Sequence, residues 1–130
     1  MSAAPKKKTP GKRAPTFADV RKIALSMPEV EETTGYGMPW FKAGKTRFAG
    51  EPVPRPDVEP NSIGVSISFE DRDRLTASRP DVYYVTKHFA PYPTVLARLR
   101  TISLEELREL LAVGWHYAME RKKPKKTRKK

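Results

Sequence analysis

The chain has 130 residues, a formal net charge of +11, 13 prolines and no cysteine. The lack of cysteine excludes disulfide bonds, thiolate nucleophiles and zinc sites with cysteine ligands, and no apolar run approaches the roughly 20 residues of a membrane-spanning helix. The charge is concentrated at the ends, because residues 1–15 carry five cations and no acid, and residues 120–130 carry eight cations and one glutamate. Such ends favour a polyanionic partner. We expect a cytoplasmic protein whose basic ends allow association with the nucleoid.

Large apolar residues are confined to the middle of the chain, where the 13 basic and 14 acidic side chains of residues 16–119 nearly cancel. Segments rich in Lys and Pro without large apolar side chains cannot offset the entropy that is lost on ordering. We therefore predict a disordered basic arm over residues 1–15, one domain over residues 16–119 and a disordered Lys/Arg-rich tail over residues 120–130.

The first predicted helix begins at Thr16 with a capping-box pattern and ends before Pro28. Its apolar residues recur at helical spacing, which indicates one buried face. Residues 29–37 are polar and predict a loop or a short edge strand. Two short aromatic runs, over residues 39–42 and 46–49, flank an Ala-Gly-Lys sequence and predict a β-hairpin.

The segment over residues 50–60 contains four prolines, which predicts an exposed and mobile connection. After it, residues 62–68 alternate apolar and small side chains, the pattern of a strand. The remaining predicted elements are a short charged helix over residues 70–77, strands over residues 82–86 and 95–100, and a last helix that begins at Ser103.

Short strands with compact connections favour an antiparallel sheet that is covered by helices. The predicted order of elements is α-β-β-β-α-β-β-α. The sequence thus predicts an α+β domain of two layers, with about five antiparallel strands and the helices on one face of the sheet.

Several segments of the central region occur in a recognisable order. They are FADVRKIALSMPEVEE at residues 17–32, YGMPWFKAGKTRFA at 36–49, DVYYVTKH at 81–88, YP at 92–93, VLARL at 95–99 and LRELLAVGW at 107–115. In this order they resemble the MmcQ/YjbR family of small bacterial proteins, over roughly residues 16–118.

The resemblance implies an α+β fold that is related in shape to secretion chaperones. It also implies DNA binding, which in this family is attributed to a proposed double-wing surface. The family has no established active-site signature, so no residue of this chain inherits a catalytic role from the resemblance.

Catalytic and metal-binding motifs are absent from the sequence. The two histidines, His88 and His116, belong to no metal-ligating pattern, and there is no P-loop, dinucleotide fingerprint or nucleophile elbow. We expect no enzyme activity, no catalytic residue, no cofactor and no metal. Glu29, Glu31 and Glu32 have the oxygen ligands that a divalent cation prefers, although carboxylates after a helix are more typical of a solvated loop.

Basic side chains of the central region are candidate phosphate contacts. Three lie on or beside the predicted hairpin, one lies beside a second candidate wing, and two are spaced so that they point to the same face of a predicted strand. A solvated face with mixed charges gives the same pattern. These candidates are Lys42, Lys45, Arg47, Lys87, Arg98 and Arg100.

The cations of the C-terminal tail predict sequence-independent binding to phosphates, because neutralised phosphates release their condensed counterions. The alternative is that the tail only keeps the protein in solution. The tail candidates are Arg121, Lys122, Lys123, Lys125, Lys126, Arg128, Lys129 and Lys130.

Aromatic side chains in predicted loops could stack on bases. Tyr36 and Tyr92 lie beside Gly and Pro, although a loop tyrosine more often braces a turn. His88 could contact a phosphate or a base, and the alternative is a half-buried histidine that orders residues 87–93. Trp40 and Trp115 occur in apolar patterns, so we expect both in the core.

The leading hypothesis is a non-enzymatic, monomeric protein that binds DNA, in the first instance duplex DNA, through its basic tails and a wing-like surface. An alternative is a chaperone-like module that binds a protein partner, with tails that only solubilise or localise it. A third hypothesis is a small-ligand site near His88, Tyr92 and Arg98.

Overall fold

A computed structural model describes residues 14–121, so residues 1–13 of the predicted arm and 122–130 of the predicted tail lie outside it. The described chain contains three helices and six strands. They are α1 (Phe17–Leu25), β1 (Val30–Gly35), β2 (Met38–Ala43), β3 (Thr46–Gly50), β4 (Ser62–Ser66), α2 (Phe69–Ser78), β5 (Tyr83–Tyr84), β6 (Thr94–Arg98) and α3 (Leu104–Arg121). None of these helices is long and apolar enough to cross a membrane.

The six strands form one antiparallel sheet in the order β1-β2-β3-β4-β6-β5. In the β2–β3 hairpin, Phe41 pairs with Ala49 and Lys42 pairs with Arg47, so Phe48 is an extra residue in β3. Such a β-bulge re-aims side chains. It directs both Phe48 and Ala49 into the core, where both are fully buried.

The helices cover one face of the sheet, and the side chains between the two layers form the core. Val20 of α1 and Leu111 of α3 are fully buried there, and Leu75 of α2 packs against its edge. Gly114 lets α3 approach the strands closely, because a Cβ atom at this position would lie 2.6 Å from Val65 Cγ1. A larger residue here would force α3 away from the strands.

Capping residues fix the starts of α1 and α3. The Thr16 main-chain N–H donates to Asp19 Oδ2 at 2.8 Å, and the Glu106 N–H donates to Ser103 Oγ at 3.0 Å. The Tyr83 hydroxyl donates to Glu106 Oε2 at 3.0 Å, which ties β5 to the first turn of α3. Burial, together with the neighbouring carboxylate, raises the pKa of Tyr83 well above its usual range.

The predicted α+β class, the antiparallel sheet and the hairpin are confirmed. The sheet has six strands rather than about five, because the segment predicted as a loop or an edge strand forms β1. This strand pairs with β2 along its whole length, from Val30 opposite Ala43 to Gly35 opposite Met38.

Several predicted boundaries are wrong, and the strand predicted over residues 62–68 ends at Ser66. The strand predicted over residues 82–86 is reduced to the two residues of β5, and the strand predicted over residues 95–100 ends at Arg98, where the chain turns. The last helix continues to Arg121, so the predicted tail does not begin at residue 120. Burial of Ala118 against the core carries the helix through its last turn.

Candidate functional site

A cleft of about 690 Å³ is lined by Gly35 at the end of β1, by Trp40 of β2 and by the first residues of β3 and β6. Its other walls come from residues 52–55 of the proline-rich connection, from residues 88–93 and from the last turns of α3. Its volume lies in the range of known ligand sites, about 300–1,000 Å³. We call it the aromatic cleft, after the six rings that line it together with three arginines.

The rings of the aromatic cleft are Tyr36, Trp40, His88, Phe89, Tyr92 and Tyr117. Tyr36 and Tyr92 are 91% and 53% exposed, and His88 is exposed as well. The His88 ring meets the Phe89 ring edge-on with 4.9 Å between centroids, and lies 6.1 Å from the Tyr92 ring. Open ring faces at this spacing can stack on a planar ligand.

Three arginines, Arg47, Arg55 and Arg121, line the same cleft, and no Asp or Glu does. Within residues 14–121, none of the three guanidinium groups has a carboxylate within 4.0 Å. Arg47 Nη1 donates to the Thr34 carbonyl at 3.2 Å, and the Arg121 guanidinium lies 5.4 Å from the Tyr117 ring centroid. Neither contact neutralises the cation, so the cleft attracts anions.

Trp40 lies on the face of the sheet away from the core, because its neighbour Phe41 points into the core and side chains alternate along a strand. The prediction of a core position for Trp40 is therefore wrong. Its indole Nε1 donates to the Glu51 carbonyl at 3.0 Å. The ring lies against Gly50, where a Cβ atom would overlap the indole at Trp40 Cγ, and above Gly64, where the nearest ring atom would be 3.5 Å away.

Arg72 of α2 fixes the loop that carries three of the rings. Its Nη1 lies 2.8 Å from the Tyr92 carbonyl oxygen, 3.2 Å from that of Ala90 and 3.4 Å from that of Phe89. Its guanidinium also lies 4.8 Å from the Phe69 ring centroid. One largely buried cation thus positions a wall of the aromatic cleft from outside it.

Three of the predicted phosphate-binding cations have acidic neighbours. Arg98 Nε donates to Glu59 Oε1 at 2.8 Å, and this hydrogen bond lowers the pKa of Glu59 below its usual range. Arg100, which lies in the turn after β6 rather than on the strand, has Nη2 3.8 Å from the same oxygen. Lys42 Nζ is 4.0 Å from Glu31 Oε1. This part of the surface therefore carries mixed charges, which is the alternative interpretation of these cations.

The other predicted cations have no ion pair within the described range. Lys45 lies at the tip of the β2–β3 hairpin, Arg47 lies in the aromatic cleft, and Lys87 precedes the rings of the loop that Arg72 fixes. Of the tail candidates, only Arg121 belongs to the described residues. The others, Lys122, Lys123, Lys125, Lys126, Arg128, Lys129 and Lys130, lie beyond them.

Sequence reasoning missed Arg55 and Tyr117 as site residues. Arg55 belongs to a segment that its prolines mark only as a connection, and Tyr117 follows the apolar stripe of α3. The half-buried position considered for His88 is wrong, because its ring is exposed. Tyr36 is 91% exposed, so its ring does not pack against a turn. The predicted core position of Trp115 is nearly right, because the ring packs at the edge of the core.

The chemistry of the aromatic cleft is that of binding by charge and by stacking. Among the described residues, no three His, Asp or Glu side chains are grouped so that they could hold a metal ion. Guanidinium groups without carboxylate partners favour a phosphate or carboxylate ligand, and the ring faces favour a planar one.

Comparison with known proteins gives relatives and a fold, and no protein-family model matches the chain. The uncharacterised protein Rv2570 of Mycobacterium tuberculosis is 41% identical over 113 residues, which cover 77% of this chain and 85% of that protein. The uncharacterised protein Mb2600 of Mycobacterium bovis is similar to the same extent.

Among solved structures, protein DR2400 of Deinococcus radiodurans, which has a DUF419 domain, matches with a TM-score of 0.69. The match covers 92% of this chain and 88% of that chain at 20% sequence identity. The two proteins share a fold.

Proposed function

Because this chain belongs to the same family as the mycobacterial protein Rv2570, whose name gives no activity, we propose its function from the site itself. We infer that the protein binds nucleic acid through the phosphate backbone and has no catalytic role. The observation that carries the proposal is the charge of the aromatic cleft. It contains three arginines and no acid, and the sequence continues from the last of them, Arg121, into seven further cations.

Phosphate contacts of this kind are independent of sequence and strongly dependent on salt. Arg121 is the last residue of α3 and lines the cleft, and the run of lysines follows it directly in the sequence. These lysines can therefore contact a phosphate backbone that enters the cleft. The resemblance to the MmcQ/YjbR family supports DNA as the ligand. The fold shared with DR2400 is compatible with this proposal and adds no support for it.

The proposed surface differs from the one that the sequence predicts. Arg98, Arg100 and Lys42 have acidic neighbours, so they contribute little net attraction. The proposed phosphate contacts are instead Arg47 and Arg55 of the cleft, together with the tail cations. Lys45 at the hairpin tip and Lys87 extend this surface.

The test is a fluorescence-anisotropy titration of the full chain with labelled DNA at several salt concentrations. In one variant, the seven cations after Arg121 are replaced by glutamine, and in a second, Arg47→Gln is combined with Arg55→Gln. The control is Arg74→Gln, which removes one positive charge at a site that is paired with Asp71 and does not line the cleft.

Each lost phosphate contact should reduce the magnitude of the negative slope of log K against log salt by about 0.9 for duplex DNA. We expect a decrease of about two for the double variant, a larger decrease for the tail variant and none for the control. Slopes that are equal in all four proteins would contradict the proposed surface, and no binding at low salt would contradict the function. If the chain does not bind DNA at low salt, the hypothesis to test is that it binds a protein partner. Such a partner should stay bound after nuclease treatment.

A further inference from the structure

The aromatic cleft contains more than a phosphate-binding surface needs. Counterion release requires only positive charge, and the cations after Arg121 supply it without any ring. The rings of Tyr36 and Tyr92 are nonetheless left open to solvent, and the exposed ring of His88 lies 6.1 Å from that of Tyr92. These faces indicate a second kind of contact, with a planar group of the ligand.

The bases of a duplex cannot make this contact, because each base is stacked on its neighbours and presents only its edges in the grooves. Unpaired bases have free faces, and proteins that bind single strands stack those faces on aromatic side chains beside a positive groove. The absence of carboxylates in the cleft fits the phosphates of such a strand and opposes a cationic ligand.

The placement of the cations fits the same ligand. Arg47 and Arg55 line the cleft together with the open rings, and Arg121 lies at the end of α3 on its rim. The loop that carries the Tyr92 ring is held by Arg72 through three main-chain carbonyl oxygens, so the main chain beneath its rings is positioned before any ligand arrives. A preorganised loop reduces the entropy that is lost on binding.

We propose that the aromatic cleft binds single-stranded nucleic acid, with unpaired bases stacked on Tyr36 and Tyr92 and the flanking phosphates against Arg47 and Arg55. This inference rests on the proposed function and narrows it to one class of ligand. An isolated mononucleotide offers a base and a phosphate too, so the test includes one.

The experiment compares the full chain with a Tyr36→Asn, Tyr92→Ser variant in anisotropy titrations at one salt concentration. Asn is chosen because Tyr36 has a φ of +54°, in the left-handed region that Asn tolerates. The control is Leu25→Ser, which removes an exposed apolar side chain outside the cleft. The probes are a strand of about 12 nucleotides, within known single-strand site sizes, its duplex, an abasic strand of equal length and a mononucleotide.

We expect the strand to bind about 10-fold more tightly than either the duplex or the abasic strand. The double variant should lose about 10-fold or more in affinity for the strand, as stacking contacts do, and little for the abasic strand, while the control binds like the wild type. This inference would be wrong if the full chain bound the strand and the duplex with equal affinity and the double variant changed neither affinity. The proposed function would still hold in that case. A mononucleotide that binds as tightly as the strand would also overturn it, and no binding by any polynucleotide would overturn both.

A second measurement covers the case in which the double variant does not fold. Trp40 lies in the cleft and Trp115 lies outside it, so a Trp115→Phe chain reports on the cleft alone. Addition of the strand should quench the Trp40 fluorescence and the abasic strand should not. Equal responses to both strands would refute the stacking of bases.

Discussion

Arg72 holds the loop that carries three rings of the cleft, so a single change at this residue should disturb the cleft. Its side chain is 12% exposed, and Arg72→Met keeps most of its length and apolar surface while it removes the cation. The change deletes the donors to the three carbonyl oxygens of the loop that carries the rings. We therefore expect the loss of stability to exceed that of an ordinary surface substitution.

The expected magnitude is the balance of three stabilising contributions and one opposing contribution. The 2.8 Å bond to Tyr92 from a charged donor contributes about 2 kcal/mol, and the two longer bonds to Ala90 and Phe89 share the same nitrogen and contribute about 1 kcal/mol together. The contact with the Phe69 ring adds about 0.5 kcal/mol. The opposing contribution comes from Nε of Arg72, which is buried without a hydrogen-bond partner and so destabilises the fold by about 1 kcal/mol. Arg72→Met removes this destabilisation.

The net loss is then about 2–3 kcal/mol. For a domain of this size, this lowers Tm by about 10–20 °C, at roughly 4–8 °C per kcal/mol. The assay is thermal unfolding followed by circular dichroism, with Arg74→Met as the matched control on the same helix. Arg74 is 62% exposed and paired only with Asp71, so its replacement should cost less than about 1 kcal/mol. If the two variants unfold within about 2 °C of each other, the reasoning about the loop is wrong.

Two further predictions concern packing and ionisation. Gly50→Ala should displace the Trp40 ring, shift its fluorescence emission and lower Tm, because the new Cβ atom would overlap the indole, whereas Gly64→Ala should leave both nearly unchanged. Tyr83 should stabilise the fold by about 1–2 kcal/mol relative to Tyr83→Phe near neutral pH, through its bond to Glu106. The pKa of Tyr83 is raised in the folded state, so this stabilisation is complete below pH 10, about the usual pKa of tyrosine, and is lost as the pH rises above it. Urea unfolding of both proteins at several pH values measures this difference in stability. An advantage that persists unchanged at high pH would contradict the assignment.

The elements of the fold were predictable where local sequence signals agree with packing. The hairpin follows from Gly44 between two aromatic runs, and the start of α3 follows from Ser103 and its capping pattern. The edge strand β1 was ambiguous, because an exposed strand needs little apolar alternation and is held mainly by pairing with β2.

The candidate site was only partly predictable, because its residues come together from separate elements. Arg47 and Tyr92 were identified by residue type, but nothing in the sequence brings Arg55 to the same cleft. The pairing of Arg98 with Glu59, 39 residues apart in the chain, is likewise a tertiary contact without a local signal. Trp40 was misplaced because an apolar neighbourhood does not reveal which face of a sheet a side chain occupies.

Gly114 has a consequence for the way in which this protein can vary. Tyr117 and Arg121 follow it at intervals of three and four residues, so they lie along one side of α3, and the approach of that helix to Val65 fixes the direction in which both side chains leave it. A larger residue at this position would move the helix outward and rotate part of the cleft wall, although Gly114 does not itself line the cleft. The shape of the aromatic cleft therefore depends on packing in the core. A substitution at Gly114 could change the specificity of binding although this residue contacts no ligand.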